Sequence, residues 1–167
     1  INKLKVVELA SVLAGPAVGM FFAELGAEVV KIENPTTGGD VTRTWKLPTE
    51  LPQTPYSAYY CSINWGKKVV FANLSQPADQ QNVYQLISEA DIGITNYKTG
   101  DDEKLGVDYA TLSKINPQLI YGQITAFGTA DPRLGYDMAL QAETGFMYMN
   151  GDAGGNAVKL PVALIDI

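Results

Sequence analysis

Histidine is absent from this sequence, and cysteine occurs once, as Cys61. The first absence removes Ser-His-Asp and Cys-His catalysis, together with the commonest metal ligand. The two scarcities together argue against a zinc site, which draws on Cys and His, and no metal is expected. A single thiol closes no internal disulfide, in keeping with a reducing compartment. Basic residues are also few: 12 Lys and Arg stand against 18 Asp and Glu, for a formal net charge of −6. A nucleic-acid surface needs a basic face, so no nucleic-acid partner is expected. A phosphate ligand stays compatible, because a few lysines and a helix N-terminus suffice. No apolar run approaches the ~20 residues of a membrane span. No basic stretch followed by an apolar one opens the chain, as a signal peptide would. A cytoplasmic protein without a membrane partner is the expectation.

What is present is a globular composition. The 167 residues are 46% hydrophobic and 18% charged, and a chain of this size buries roughly two-thirds of its unfolded surface. Its chemistry must come from carboxylates, hydroxyls, lysines or the backbone.

Apolar, β-branched runs recur along the chain with helical stretches between them. "LKVVEL" (4–9), "EVVKIE" (28–33), "VVFANL" (69–74), "DIGITN" (91–96), "LIYGQITAF" (119–127) and "VKLPVALI" (158–165) predict six strands. "PAVGMFFAELGA" (16–27) predicts a helix with Pro16 at its first position and Gly26 at its C-terminal end. "ADQQNVYQLISEA" predicts another, with Ser75, Pro77 and Asp79 marking its start. "DYATLSKINP" reads as a short helix capped by Asp108 and stopped by Pro117, and 138–147 as a further helix. Residues 34–58, rich in Pro, Thr and Gly, read as a long functional or mobile connection. Strands alternating with helices predict an α/β fold with a mostly parallel sheet and flanking helices. No internal boundary is marked. The sequence starts almost directly in a strand, without an initiator Met, and stops in another. It is therefore expected to be the first part, or an excised portion, of a longer protein.

Several short stretches could carry chemistry. "LAGPAVG" joins the first strand to the first helix, where open α/β sheets bind ligands. It reads either as an anion cradle or as a turn that needs Gly and Pro for geometry. Glu33 lies 18 residues past Gly15, near the place of a ribose-binding acid in dinucleotide folds, but G-x-G-x-x-G is missing. "NWGKKV" offers two lysines before the third strand, as phosphate ligands or as a solvated turn. In "TNYKTG", Asn96, Tyr97 and Lys98 would suit a nucleotide or form an ordinary polar loop. Asp166 follows four apolar residues. It reads either as a desolvated base or nucleophile or as a helix cap.

Taken in order, the runs "LKVVELASVLAGP", "LGAEVVKIENP", "GGDVTR", "INWGKKVV", "ADIGITNYKTG", "LGVDYATLSKINPQLIYGQITAFG", "GYDMALQAETG" and the closing Asp166 resemble the family III CoA-transferases, the formyl-CoA and carnitine CoA-transferase group. The resemblance implies a Rossmann-like α/β fold, with residues 1–167 as the CoA-binding portion of the large domain. A second domain and the C-terminal half would lie outside this sequence, and the full-length protein would be an interlocked homodimer. It implies transfer of CoA from an acyl-CoA to a carboxylic acid through an aspartyl-acyl anhydride and an aspartyl-CoA thioester. Coenzyme A or acyl-CoA enters as substrate, and no cofactor is bound permanently. By position, Asp166 would be the nucleophile. CoA contacts would fall on Leu13, Ala14, Asn34, Ala72, Asn73, Leu74, Ser75, Asn96, Tyr97, Lys98, Lys104, Leu134, Gly135, Tyr136 and Asp137. The 167-residue piece alone is expected to be inactive.

Four departures bear on specificity. The family often carries Arg where this chain has Trp65, and some members carry it at Asn34, which implies altered contacts to the CoA phosphates. Leu13 stands where formyl-CoA transferases have a Gln, so oxalate or formyl specificity is not implied. The related α-methylacyl-CoA racemases use the His of a G-H-D stretch; Tyr136 occupies that place here. A phenol with a reference pKa of about 10 is a poor substitute base near neutrality, which favours transferase over racemase. A Rossmann-type nucleotide-dependent oxidoreductase is the other alternative.

Overall fold

Five apolar segments become strands: β1 (Lys5–Leu9), β2 (Glu28–Glu33), β3 (Lys68–Phe71), β4 (Ile92–Thr95) and β5 (Ile120–Gln123). They form one sheet in the order β3-β2-β1-β4-β5, and every pairing is parallel. β1 is central, with Val6 opposite Val29 of β2 on one side and Ile92 of β4 on the other. The computed structural model describes residues 1–166, and the chain packs as two compact units, 1–124 and 125–167. All five strands belong to the first unit.

The helices of the first unit are α1 (Ala14–Glu24), α2 (Ala58–Asn64), α3 (Pro77–Ser88), α4 (Asp101–Lys104) and α5 (Tyr109–Ile115). Successive strand side chains point to opposite faces, so β1 feeds two cores. Val7 and Leu9 pack with Val83 and Ile87 of α3 and Leu112 of α5. Val6 and Ala10 pack with Val29, Ile94 and, from α1, Phe22 and Ala23. Parallel sheets covered on both faces are buried throughout, and residues 6–9 of β1 are all buried.

Local chemistry sets the helix starts. Pro77 opens α3, with Asp79 in its first turn. Asp108 caps α5, its Oδ1 accepting from Thr111 N at 3.0 Å. Ser57 Oγ accepts from Tyr60 N at 2.9 Å at the head of α2. α1 begins at Ala14, two residues before Pro16, which sits inside the first turn where its missing N–H costs nothing.

The connection 34–58 is more ordered than its composition suggests. Two short 3-10 turns, Pro35–Thr37 and Val41–Thr44, are capped by the side chains of Asn34 and Asp40, and α2 follows at Ala58. The strands are shorter than the apolar runs, with β3 ending at Phe71 and β5 at Gln123.

The second unit carries α6 (Asp137–Glu143) and α7 (Phe146–Met149). The single helix expected over 138–147 is divided at Gly145, whose φ of +85° is left-handed. Residues 158–165, expected as a sixth strand, are irregular, with a bend at 161–162 and a turn from 164. Pro161 has no N–H for a ladder. The N–H groups of Leu160 and Ile165 bond to the side chains of Gln141 and Asp137. Among the described residues no helix is long and apolar enough to cross a membrane.

Candidate active site

The C-terminal ends of β2, β1 and β4 lie side by side in the sheet, at the edge where open α/β folds place ligands. A cavity of about 370 Å³ opens there, lined among others by Leu9, Ser11, Ile32, Asn34, Asp40 and Tyr97. That volume falls within the range of small-molecule sites. Two of the residues expected from sequence, Asn34 and Tyr97, line it together. Burial pushes the Tyr97 phenol up to about 12, so it stays neutral and offers a ring and a hydroxyl. The Asn34 side chain accepts from Thr36 N at 3.0 Å and from Thr36 Oγ1 at 2.8 Å, which commits it to holding its own turn.

The turn between β1 and α1 is fixed from two sides. Asn96, just past β4, brackets Ser11: its Oδ1 accepts from Ser11 N at 3.0 Å and its Nδ2 donates to Ser11 O at 2.8 Å. Asp40 accepts from Val12 N, at 3.2 Å to Oδ2. Val12 has a φ of +71°, a left-handed conformation that a β-branched residue avoids. Leu13 and Ala14 come next. Leu13 is the N-cap of α1, and no side chain caps that helix, so its first N–H groups are free of side-chain competition for a ligand. Gly15 explains the close approach: a Cβ there would stand 2.3 Å from Ala10 Cβ.

The remaining expected residues of this unit behave differently. Ala72 and Leu74 are core residues, at 4% and 7% exposure, so only their backbone can face a ligand. Asn73 Oδ1 accepts from Ser75 N at 3.0 Å, shaping the turn after β3. Ser75 and Lys98 are exposed. Lys104 is exposed and pairs with Asp101 at 2.9 Å. None of these lines the cavity.

Beneath the turn lies a chain of buried charges, of which the sequence reading singled out Lys67 alone, as a phosphate ligand or part of a solvated turn; its side chain is instead fully buried against Glu8, and of the two lysines in "NWGKKV" only Lys68 is solvated. Lys31 of β2 donates to Glu8 Oε1 at 2.8 Å and to Ala10 O at 2.7 Å, and sits 3.0 Å from Asp40 Oδ2. Lys67 lies 2.7 Å from Glu8 Oε2, a charge contact without hydrogen-bond alignment. Lys67 also donates to Pro16 O in the first turn of α1 at 2.7 Å. Burial drives the Lys67 ammonium down to about 8, against the pull of Glu8. Burial raises Asp40, but the Lys31 charge and the hydrogen bonds from Thr42 outweigh it and hold it below the ordinary range. The signal for this network was a charge placed inside each apolar strand, Glu8 in "KVVEL" and Lys31 in "EVVKIE".

Glu33 is not available as a ribose acid. Arg43 grips it with Nε at 2.7 Å and Nη2 at 2.9 Å, Tyr60 Oη donates to it at 2.7 Å, and Asp40 N does so at 2.9 Å. Burial opposes its charge, and these donors with the Arg43 cation overcome it, so Glu33 is held below its ordinary value. The dinucleotide reading thus loses its acid as well as its glycine motif.

In the second unit, Leu134, Gly135 and Tyr136 are exposed, while Asp137 is half-buried at the first position of α6. Asp137 Oδ1 accepts from Ile165 N at 2.7 Å, and Oδ2 accepts from Gln141 Nε2. Asp166 is half-buried. Burial and then the nearby Asp137 charge push its carboxyl above the ordinary range, which makes the ionised form a stronger nucleophile.

The sequence profile of CoA-transferase family III matches residues 1–167. A succinate–glutarate CoA-transferase of Agrobacterium fabrum is 40% identical over 173 residues, covering 100% of this chain and 43% of the relative. The human succinyl-CoA:glutarate CoA-transferase is 36% identical, covering 98% of this chain and 37% of the relative. The crystal structure of a CAIB/BAIF family protein from Brucella suis superposes with a TM-score of 0.91 at 42% identity, over 98% of this chain and 44% of that one. The chain thus spans less than half the length of these relatives.

Proposed function

The chain belongs to the family III CoA-transferases, and from that premise we propose that the whole protein moves CoA from an acyl-CoA to a carboxylic acid, with Asp166 as the nucleophile. The observation that carries the reading is the Asp166 carboxyl: half-buried and raised by burial and by Asp137, at the end of the 160–165 segment. Carboxyls raised by burial and a like charge are enriched at catalytic sites.

The chemistry needs one carboxylate and no net proton transfer. An Asp166 oxygen attacks the thioester carbonyl carbon, the C–S bond breaks, and CoA leaves as a thiolate, giving a mixed anhydride. The thiolate then attacks the aspartyl carbonyl, releasing the donor acid as its carboxylate and leaving an aspartyl-CoA thioester. The acceptor carboxylate attacks that carbonyl and re-forms an anhydride with release of thiolate. Attack of the thiolate on the acceptor carbonyl yields the new acyl-CoA and frees Asp166. Covalent catalysis of this kind splits one hard exchange into easier steps. The turn around Leu13 and Ala14, the cavity bearing Tyr97 and the expected contacts at Ala72 to Ser75, Lys98 and Lys104 would receive CoA. The names of the relatives support short dicarboxylic acids as donor and acceptor. Family resemblance supports an interlocked homodimer.

The test uses the full-length enzyme with succinyl-CoA and glutarate. Quenching with hydroxylamine should convert Asp166 to a hydroxamate that peptide mass spectrometry locates, and Asp166→Asn should abolish both the trap and turnover. Full turnover by Asp166→Asn would refute the assignment.

A further inference from the structure

The segment that carries Asp166 has no regular structure of its own. Residues 158–166 contain no strand or helix, and within 162–166 the backbone bonds are the short-range Leu164 N to Val162 O and Asp166 N to Ala163 O. Such a segment is ordinarily soft. A nucleophile, however, must be held near its attack geometry. Two side chains of α6 supply what the backbone lacks.

Gln141 is 1% exposed, an unusual depth for an amide, and every polar atom of its side chain is in use. Oε1 accepts from Leu160 N at 2.8 Å, and Nε2 donates to Val162 O at 3.1 Å and to Asp137 Oδ2. Asp137 Oδ1 then accepts from Ile165 N at 2.7 Å. Residues 137 and 141 are four apart and share one helix face. Together they hold the segment at 160, 162 and 165, the last being the residue before Asp166.

Building on the reading of Asp166 as the nucleophile, we propose that Asp137 and Gln141 are positioning residues, a two-point clamp from α6 that fixes the Asp166 carboxylate for attack. Asp137 also places a like charge near Asp166, so it acts on both the direction and the basicity of that carboxylate. This assigns Asp137 a different task from the CoA contact expected from family resemblance, and it gives Gln141 a task where none was expected.

The amide chemistry dictates the variants. Gln141→Met keeps the volume and removes all three bonds. Asp137→Asn keeps an acceptor for Ile165 N but turns an NH2 toward the Gln141 NH2, two donors facing each other, and removes the charge. In the full-length enzyme, either variant should slow hydroxylamine-trappable acylation of Asp166 by succinyl-CoA by roughly 100-fold, the scale of a small misplacement. The Kd for CoA, read by calorimetry, should stay at the wild-type value. Asp137→Asn should also move the acidic limb of the acylation rate to lower pH, because the like charge is gone; among the described residues the charge that raises Asp166 is that of Asp137.

Wild-type acylation by both variants would overturn the clamp. A raised CoA Kd in Asp137→Asn with an unmoved acidic limb would also overturn it, and would return Asp137 to ligand contact. If Gln141→Met does not fold, the acylation rate of Asp137→Asn on the pH-independent plateau decides alone: a fall of roughly 100-fold at unchanged CoA Kd supports the clamp, and a wild-type rate overturns it. Asp166→Asn run in parallel separates this from failure of the nucleophile itself. Turnover by that variant defeats the underlying reading, whereas its inactivity beside unaffected clamp variants defeats only the clamp.

Discussion

Asp40 Oδ2 lies 3.2 Å from the backbone nitrogen of Val12 and 3.0 Å from Lys31 Nζ. One carboxylate therefore joins a left-handed valine in the β1–α1 turn to a lysine buried in β2. Left-handed conformations of β-branched residues persist only where surrounding structure over-determines them, and here the over-determination comes from a charge.

Asp40→Ala should destabilise the protein by about 3 kcal/mol, because it removes one partner of a buried ion pair and orphans Val12 N. Urea unfolding measures the loss. The same variant should weaken CoA binding in the full-length enzyme, since Leu13 and Ala14 follow Val12 directly. Wild-type affinity at full occupancy of the fold would separate the turn from the ligand.

Asn96→Ala should have the opposite balance. Its two bonds to Ser11 are at exposed positions, so the stability cost should be about 1 kcal/mol. The turn loses one of its two anchors, and calorimetry should show a weaker CoA affinity that outruns this small loss in unfolding free energy.

Gly19→Ala tests the buried charges from the helix side. A Cβ at Gly19 would stand 1.9 Å from Glu8 Oε2 and 3.3 Å from Lys67 Nζ. Alanine is normally the better helix former by about 1 kcal/mol. Here the overlap should dominate and lower stability by about 2 kcal/mol. A stabilised Gly19→Ala protein would mean that Glu8 has room to move.

Acid sensitivity follows from Glu33 and Asp40, whose folded pKa values both lie below the ordinary range. A lowered folded pKa contributes stability that is fully present above the unfolded value of roughly 4. That stability is lost as pH falls toward the lowered folded value. Glu33→Gln removes one of the titrating groups, so its unfolding free energy should fall less steeply below that pH than the wild type's. Parallel curves would show that Glu33 does not govern the acid limb.

The sequence was legible where hydrophobic period and punctuation agreed. β1 through β5 follow apolar runs, Pro77 opens α3, and Asp108 caps α5 as its position suggested. It misled at 158–165, where an apolar run met Pro161 and side-chain acceptors took the N–H groups a ladder would need. It was silent on Asp40 and Gln141, since a polar residue in a loop or helix does not announce burial. Lys31 and Glu8 could have been found, because a charge within an apolar strand requires a buried partner. Asn96 was noticed for ligand chemistry, yet the fold spends its amide on Ser11.

The central place of β1 also bears on how the chain is made. β1 leaves the ribosome before β4, and the residues that complete its second edge follow much later: Lys5 N bonds to Asp91, 86 positions on. At about 5–20 residues per second, synthesis of that interval takes on the order of ten seconds. Throughout it, one edge of an apolar strand waits unpaired, and for its earlier part Glu8 also waits for Lys67. Nascent chains of this protein are thus most exposed to misassociation before β4 arrives, and chaperone dependence should track the translation speed of that interval.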